Sequence, residues 1–199
     1  MTKTDINLPE GQNPNPQGKG LSAILSDWQY YCPQQWQEKS NEQLFADYFT
    51  STLVLSAEFG FKPVIGQQYY LYFHNKQWAL SLIEPERWQK APGICFGQCQ
   101  LYADMTWSIA PQADSLKNQI LIQALKSFSH QLHQHLMQNH STGQLLPFFA
   151  EQLPYYRRMV ASGMARSIST STDYAARINK AARTPQQMIK LISTKQHKS

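Results

Sequence analysis

The chain has 199 residues, 42% of them apolar and 16% charged, with a formal net charge of +5. That is enough for one domain with a real core, and the lack of any run of ~18 uncharged apolar residues excludes a membrane-spanning helix. The basic balance belongs to one end: residues 155–199 hold nine Lys/Arg against Asp173 alone, whereas residues 1–154 hold nine against twelve acids.

Residues 1–20 are rich in Pro, Gly and Asn and lack periodicity, which reads as a flexible arm. They contain no apolar h-region, so a cytoplasmic location is the expectation. Leu21, Ile24, Leu25 and Trp28 recur at helical spacing and predict a short amphipathic helix ending before Pro33. Ser40 and Gln43 have the spacing of a capping box and open a second helix. Its apolar stripe is Leu44, Phe45, Tyr48, Thr52 and Leu55, and Gly60 is its expected stop.

A β section follows. Gln67–Phe73 is an aromatic strand, His74-Asn75-Lys76 a turn, and Gln77–Ile83 a second strand with Trp78, Leu80 and Leu82 on one face. Glu84–Trp88 reads as one helical turn with Pro85 at its first position. After Pro92-Gly93, Ile94–Tyr102 is a third strand with Gly97 at a bulge, and Met105–Ile109 resumes the pattern. Short links make an antiparallel meander the simplest topology. Its cover is a long helix from Asp114 to about Asn139, with Leu121, Leu125, Phe128, Leu132 and Leu136 in one stripe. Pro154 opens another helix carrying Tyr156, Val160 and Met164, and Thr184 with Gln187 caps a short last one over Pro185–Ile192. The expected architecture is α+β: a small antiparallel β-meander over about residues 67–109, packed by flanking α-helices. Its domain spans 21–170, between the 1–20 arm and a basic helical tail at 171–199.

Few residue constellations point to chemistry. Cys32, Cys95 and Cys99 are an odd set without a second pair; Cys95 and Cys99, four apart in a strand, share a face and read as small buried hydrophobes. His130, His133 and His135 cannot converge from one helix, and His140 lies beyond it, so no metal and no cofactor is expected. Gly18-Lys19-Gly20 lacks the Ser/Thr and the preceding strand of a phosphate loop, although the helix start after Lys19 could hold an anion. Glu84, Glu86 and Asp104 lie beside Trp88 and Trp107, an apolar setting that raises a carboxyl pKa and can make a general acid, or else these groups cap turns. No nucleophile elbow is present. Tyr69, Tyr70, Tyr72, Phe73 and Trp78 could stack bases, yet only Lys76 is interleaved among them.

Tyr69-Tyr70-Leu71-Tyr72, the run from Trp78 to Trp88 ending Pro85-Glu86-Arg87-Trp88, Phe96-Gly97, and Leu101–Trp107 closing Asp104-Met105-Thr106-Trp107 resemble the core of the domain-of-unknown-function 2452 family of uncharacterised bacterial proteins. Asn13–Gly20 resembles its N-terminal arm. The resemblance covers about 40 residues and implies a shared fold; it brings no activity. It also implies that the Pro-x-x-Trp turn and the Asp-x-x-Trp segment are a shared surface or a packing staple.

The functional expectation is a cytoplasmic, non-catalytic binding or interaction module with an unknown protein partner and no membrane association. Its candidate surface is Tyr70, Tyr72, Glu84, Arg87, Trp88, Asp104 and Trp107. One alternative is nucleic-acid association through Arg157, Arg158, Arg166, Arg177 and Arg183, a salt-sensitive electrostatic mode. The other is a small-molecule enzyme with Glu84 or Asp104 as acid/base.

Overall fold

Residues 19–34, 39–138, 153–169, 177, 178 and 187 are described by the structure, a computed structural model. The chain divides into two compact units, Met1–Tyr30 and Tyr31–Ser199. The first contains α1 (Lys19–Tyr30), an amphipathic helix on which Ile24, Leu25 and Trp28 are all exposed.

The second unit is α+β. A four-stranded antiparallel sheet, β1 (Gln68–His74), β2 (Gln77–Ser81), β3 (Ile94–Leu101) and β4 (Trp107–Pro111), is packed by α2 (Asn41–Ser56), α3 (Gln119–Gln138) and α4 (Tyr155–Ser169). The short last helix expected over Pro185–Ile192 lies outside the described residues, apart from Gln187.

α2 starts where its sequence dictates. Ser40 Oγ accepts from Gln43 N, and the Gln43 side chain accepts from Ser40 N, so both halves of the capping box form. The helix ends at Ser56, ahead of Gly60, because the chain turns extended at Ala57. Its expected stripe is too narrow: nearly every position from Leu44 to Leu55 is buried. Phe45, Tyr48, Phe49 and Leu53 are each at most 1% exposed, and burial of such side chains contributes roughly 2 kcal/mol apiece. The buried polar residues among them have partners. Thr50 Oγ1 donates to Trp107 O at 2.7 Å, and Trp107 N donates to Ser51 Oγ at 2.9 Å. These bonds satisfy the backbone N–H and C=O of Trp107, the first residue of β4.

The opposite outer strand, β2, is joined by Glu58, two residues past the end of the helix. Glu58 N donates to Trp78 O at 2.8 Å, Leu80 N donates to Glu58 O at 2.9 Å, and Glu58 forms a parallel bridge with Ala79. The rise from Thr50 to Glu58, roughly 12 Å at helical pitch, matches about 14 Å for three strand spacings. α2 therefore runs across the strands, from one edge to the other.

The strand order is β2-β1-β3-β4, which corrects the expected sequential meander. β1 sits between β2 and β3 and is antiparallel to both. β2 ends at Ser81 opposite Tyr70, whereas β3 begins at Ile94 opposite Phe73. The link 82–93 must therefore travel back along β1 before it re-enters the sheet. It does so over the face bearing Tyr70 and Tyr72, whose hydroxyls reach Glu84 and Ile83 O. Gly93 permits the re-entry: a Cβ there would lie 2.6 Å from Phe73 O. Leu82, expected on the inner face of β2, falls in this link and is 52% exposed.

The β1–β2 connection is a two-residue turn, with Asn75 and Lys76 at φ 47° and 63°. Two left-handed residues match the strand twist of a type I′ hairpin, a conformation that Asn accepts and Lys adopts at some cost. Register shifts between Leu71 and Tyr72, leaving Phe96 as the extra residue of a bulge in β3. Cys95 consequently pairs with Tyr72 and Cys99 with Tyr69, so the two thiols lie on opposite faces rather than the shared face that uninterrupted alternation predicts. Burial of Cys99 drives its thiol pKa strongly upward, and burial lifts Cys95 to about 11.

β4 approaches the bulge closely. A Cβ at Gly97 would sit 2.2 Å from Ala110 O and 2.6 Å from Pro111 Cα. Gly97→Ala is expected to destabilise the protein by about 2–3 kcal/mol in denaturant unfolding. Gly60→Ala, with nothing within 4 Å of its new methyl, is the matched control and stays within about 0.5 kcal/mol of the parent.

Candidate functional site

The seven residues of the expected surface fall into two groups. Tyr70, Tyr72, Glu84, Arg87 and Trp88 come together where the 82–93 link crosses β1. The Pro85–Arg87 turn is a single 3₁₀ turn with Pro85 near its start. Tyr72 Oη and Trp88 Nε1 both donate to Ile83 O, at 2.9 and 3.3 Å, and the two rings meet edge to face at 6.4 Å. Glu84 pairs with Arg87 and also accepts from Tyr70 Oη. Tyr72 is 1% exposed, and burial, with Cys95 beside it, pushes its phenol up to about 12. Burial and the neighbouring Glu84 raise Tyr70 as well. This cluster pins the link onto the sheet. Its outward part includes Leu82, Ile83, Glu86 and the Arg87 guanidinium.

Asp104 and Trp107 lie elsewhere. Trp107 is fully buried on the opposite face, edge-on to Tyr69 at 5.6 Å, so it packs rather than presenting a rim beside Trp88. The alternation of β4 decides this, because Trp107, Ile109 and Pro111 all point inward. Asp104 sits in the β3–β4 turn, where its Oδ1 accepts from Thr106 N at 3.0 Å and Thr106 Oγ1 at 2.6 Å. Its other oxygen pairs with Lys39, whose Nζ also holds Asp47 of α2 at 2.6 Å. Partial burial opposes ionisation of Asp104, but hydrogen bonds from Lys39 and Thr106 outweigh it and hold the carboxyl below its usual value. The same burial opposes the charge on Lys39, and the attraction of Asp47 and Asp104 overcomes it, raising the ammonium above its ordinary value. A general acid needs a raised carboxyl pKa; Asp104 moves the other way. It is a structural anion.

Two of the arginines expected to meet nucleic acid bind the protein's own carbonyls instead. Arg157 Nη1 donates to Ala57 O at 2.8 Å while its guanidinium lies 5.8 Å over Phe59. Arg177 donates to Asn41 Oδ1 at 2.6 Å and to Lys39 O. Arg166 contacts Cys32 Sγ at 3.0 Å, Arg158 is exposed, and Arg183 lies outside the described residues. No three His, Cys, Asp or Glu side chains gather into a metal-binding group among the described residues. No helix there is long and apolar enough to cross a membrane.

One cleft among the described residues involves positions that the sequence pattern does not single out. A cleft of about 650 Å³ opens between the β1–β2 hairpin and α3. From the hairpin it is lined by Phe73, Lys76, Gln77 and Trp78, and from the end of α2 and the residue beyond by Ser56 and Glu58. From α3 come two adjacent rows at four-residue spacing, Ile120–Ala124–Phe128 and Gln123–Ser127–Gln131. Asn118 positions this helix, its Oδ1 accepting from Ile120 N at 3.0 Å and Leu121 N at 3.3 Å. The stripe Leu121, Leu125, Leu132 and Leu136 turns inward, and Phe128 meets Phe49 of α2 edge-on at 5.5 Å. A signal for the cleft does exist in the sequence: α3 has Lys126 as its only Lys, Arg, Asp or Glu, so its outer face is nearly uncharged. No known family model matches the chain, and no curated protein or solved structure is significantly similar to it.

The Lys39 cluster makes a pH prediction with a definite sign. Asp104 has a lowered folded pKa, so its contribution is present above the ordinary carboxyl value near pH 4 and is lost as pH falls through the lower folded value. Lys39 has a raised pKa, so its share is present below the ordinary ammonium value and lost as pH rises beyond it. Lys39→Met removes the cation that Asp47 and Asp104 share. Urea unfolding at pH 7 is expected to show a loss of about 2–3 kcal/mol, and the variant's stability should decline less than the parent's on acidification below pH 4.

Proposed function

We propose that this chain is a cytoplasmic, non-catalytic binding module whose ligand occupies the cleft between the β1–β2 hairpin and α3. The observation that carries this reading is the composition of the lining. Phe73, Trp78, Ile120 and Phe128 supply apolar surface, and Gln77, Gln123, Gln131, Ser56 and Ser127 supply neutral hydrogen-bonding groups. Its volume lies within the usual range for ligand sites. The titratable side chains in the lining are Glu58 and Lys76, one of each sign, and the Ser56 hydroxyl donates to Leu53 O at 2.7 Å. Such a wall can hold and orient a molecule. Binding is the function that these residues support, and it places the partner at a different surface from the Trp88 link.

The test is a fragment screen observed by amide and side-chain NMR on the full chain. Hits are expected to shift Phe73, Trp78, Ala124 and Phe128 together. Ala124→Trp, which fills the middle of the cleft, should abolish those shifts while leaving the remaining spectrum dispersed. Hits mapping to Leu82, Ile83 and Trp88 instead, or to no common surface, would overturn the assignment.

A further inference from the structure

Resting on the binding-module reading above, we infer that the cleft takes an extended, uncharged peptide segment of a partner protein, with one bulky apolar side chain seated between α3 and the hairpin. Three features of the lining lead to this occupant.

The first is shape. The α3 rows run from Ile120 to Gln131, an advance of about 16 Å along the helix. That length matches roughly five residues of extended chain. Ala124 lies at the middle of the apolar row, between Ile120 and Phe128, so the wall is lowest at its centre. A single large side chain suits that notch, between Ile120 and Phe128 of α3 and facing the hairpin.

The second is hydrogen bonding. Gln77, Gln123 and Gln131 each carry a carboxamide with a donor and an acceptor side by side. This pair complements the N–H and C=O of a peptide group. An extended segment brings its backbone groups unsatisfied and needs such partners, whereas an α-helix has already paired its own. A helical partner would leave the three carboxamides facing apolar or charged side chains. Direct strand addition is closed to the ligand at this sheet edge, because Glu58 already pairs with Trp78 and Leu80 of β2. Recognition therefore goes through side-chain amides.

The third is charge. One cation, Lys76, and one anion, Glu58, face the cleft, and the other lining side chains are neutral. Amides and hydroxyls lose water at lower cost than charged groups do. A neutral peptide complements this wall; a strongly acidic or basic one meets a like charge at one end and no compensating field along the rest. Lys76 holds a left-handed backbone at φ 63° where it meets the cleft, which aims its side chain from a turn of fixed geometry.

The probes are synthetic N-acetylated, C-amidated pentapeptides with a central leucine or phenylalanine flanked by asparagine, glutamine and serine, titrated against the full chain by NMR. They are expected to shift the same cleft resonances as the fragments. N-methylating the amides beside the anchor, which deletes the N–H without adding charge, should weaken binding about tenfold or more. Gln123→Leu and Gln131→Leu should each weaken it about tenfold, and Gln134→Leu, on α3 outside the lining, should leave it unchanged. Equal affinity for N-methylated and unmodified peptides, or binding by a hydrocarbon-stapled helix with the same anchor, overturns the inference. Fragments that occupy the cleft while every peptide fails also overturn it and leave the binding-module reading standing. Failure of both sinks the two together.

Discussion

One stretch of chain, Thr50 to Glu58, bonds backbone groups on both outer strands of the sheet, and the rest of the structure depends on that. A strand edge leaves backbone N–H and C=O groups that must find partners or remain open to another chain. Here Thr50 and Ser51 satisfy Trp107 on β4, and Glu58 satisfies Trp78 and Leu80 on β2. The helix between them has to lie across the strands, so it meets the sheet on one side and α3 and α4 on others. This is why α2 is buried nearly all round and can carry Asp47, Thr50 and Ser51 inside. Each of these is bonded, so none carries the cost of an unsatisfied buried polar group.

The opposite face of β1 is covered by a return link rather than by a helix. Because β2 and β3 flank β1 in the same direction, the chain between them crosses Tyr70 and Tyr72, and those hydroxyls grip it through Glu84 and Ile83 O. Trp88 closes the same carbonyl from the other side. The tyrosine-rich strand and the Pro85–Trp88 turn thus act as one fastening. Lys39 plays the equivalent part at the other end of the sheet, tying the β3–β4 turn to α2 through Asp104 and Asp47. With these groups committed to holding the fold, the proposed ligand site is the neutral cleft beside α3.

Local patterns in the sequence were legible because local physics sets them. Ser40 and Gln43 cap α2 wherever the helix packs; Pro85 sits at the head of its turn; Asn75 tolerates the left-handed conformation a tight hairpin requires. The leucines of α3 recur at helical spacing whatever covers them. Alternation also carried Trp78 and Leu80 to the inner face correctly, and it misplaced Leu82 only because the strand stops at Ser81. One extra residue, Phe96, was enough to separate Cys95 from Cys99, since a side-chain period of two cannot survive a bulge.

The amino-acid order alone determined the α+β class, the starts of α2 and α4 and the four extended segments, since each depends on neighbours within a few residues. The long helix, expected from Asp114, begins only at Gln119, after a separate turn at Ser115–Lys117. Tertiary structure alone decided the strand order, the burial of Trp107, the diversion of Arg157 and Arg177 to internal carbonyls, and the cleft. Each of those joins groups distant in the chain: Arg157 meets Ala57, Arg177 meets Asn41, and Phe73 and Gln123 line one cleft. No spacing rule encodes such meetings, because they follow from which faces must be covered once every edge has found its partner.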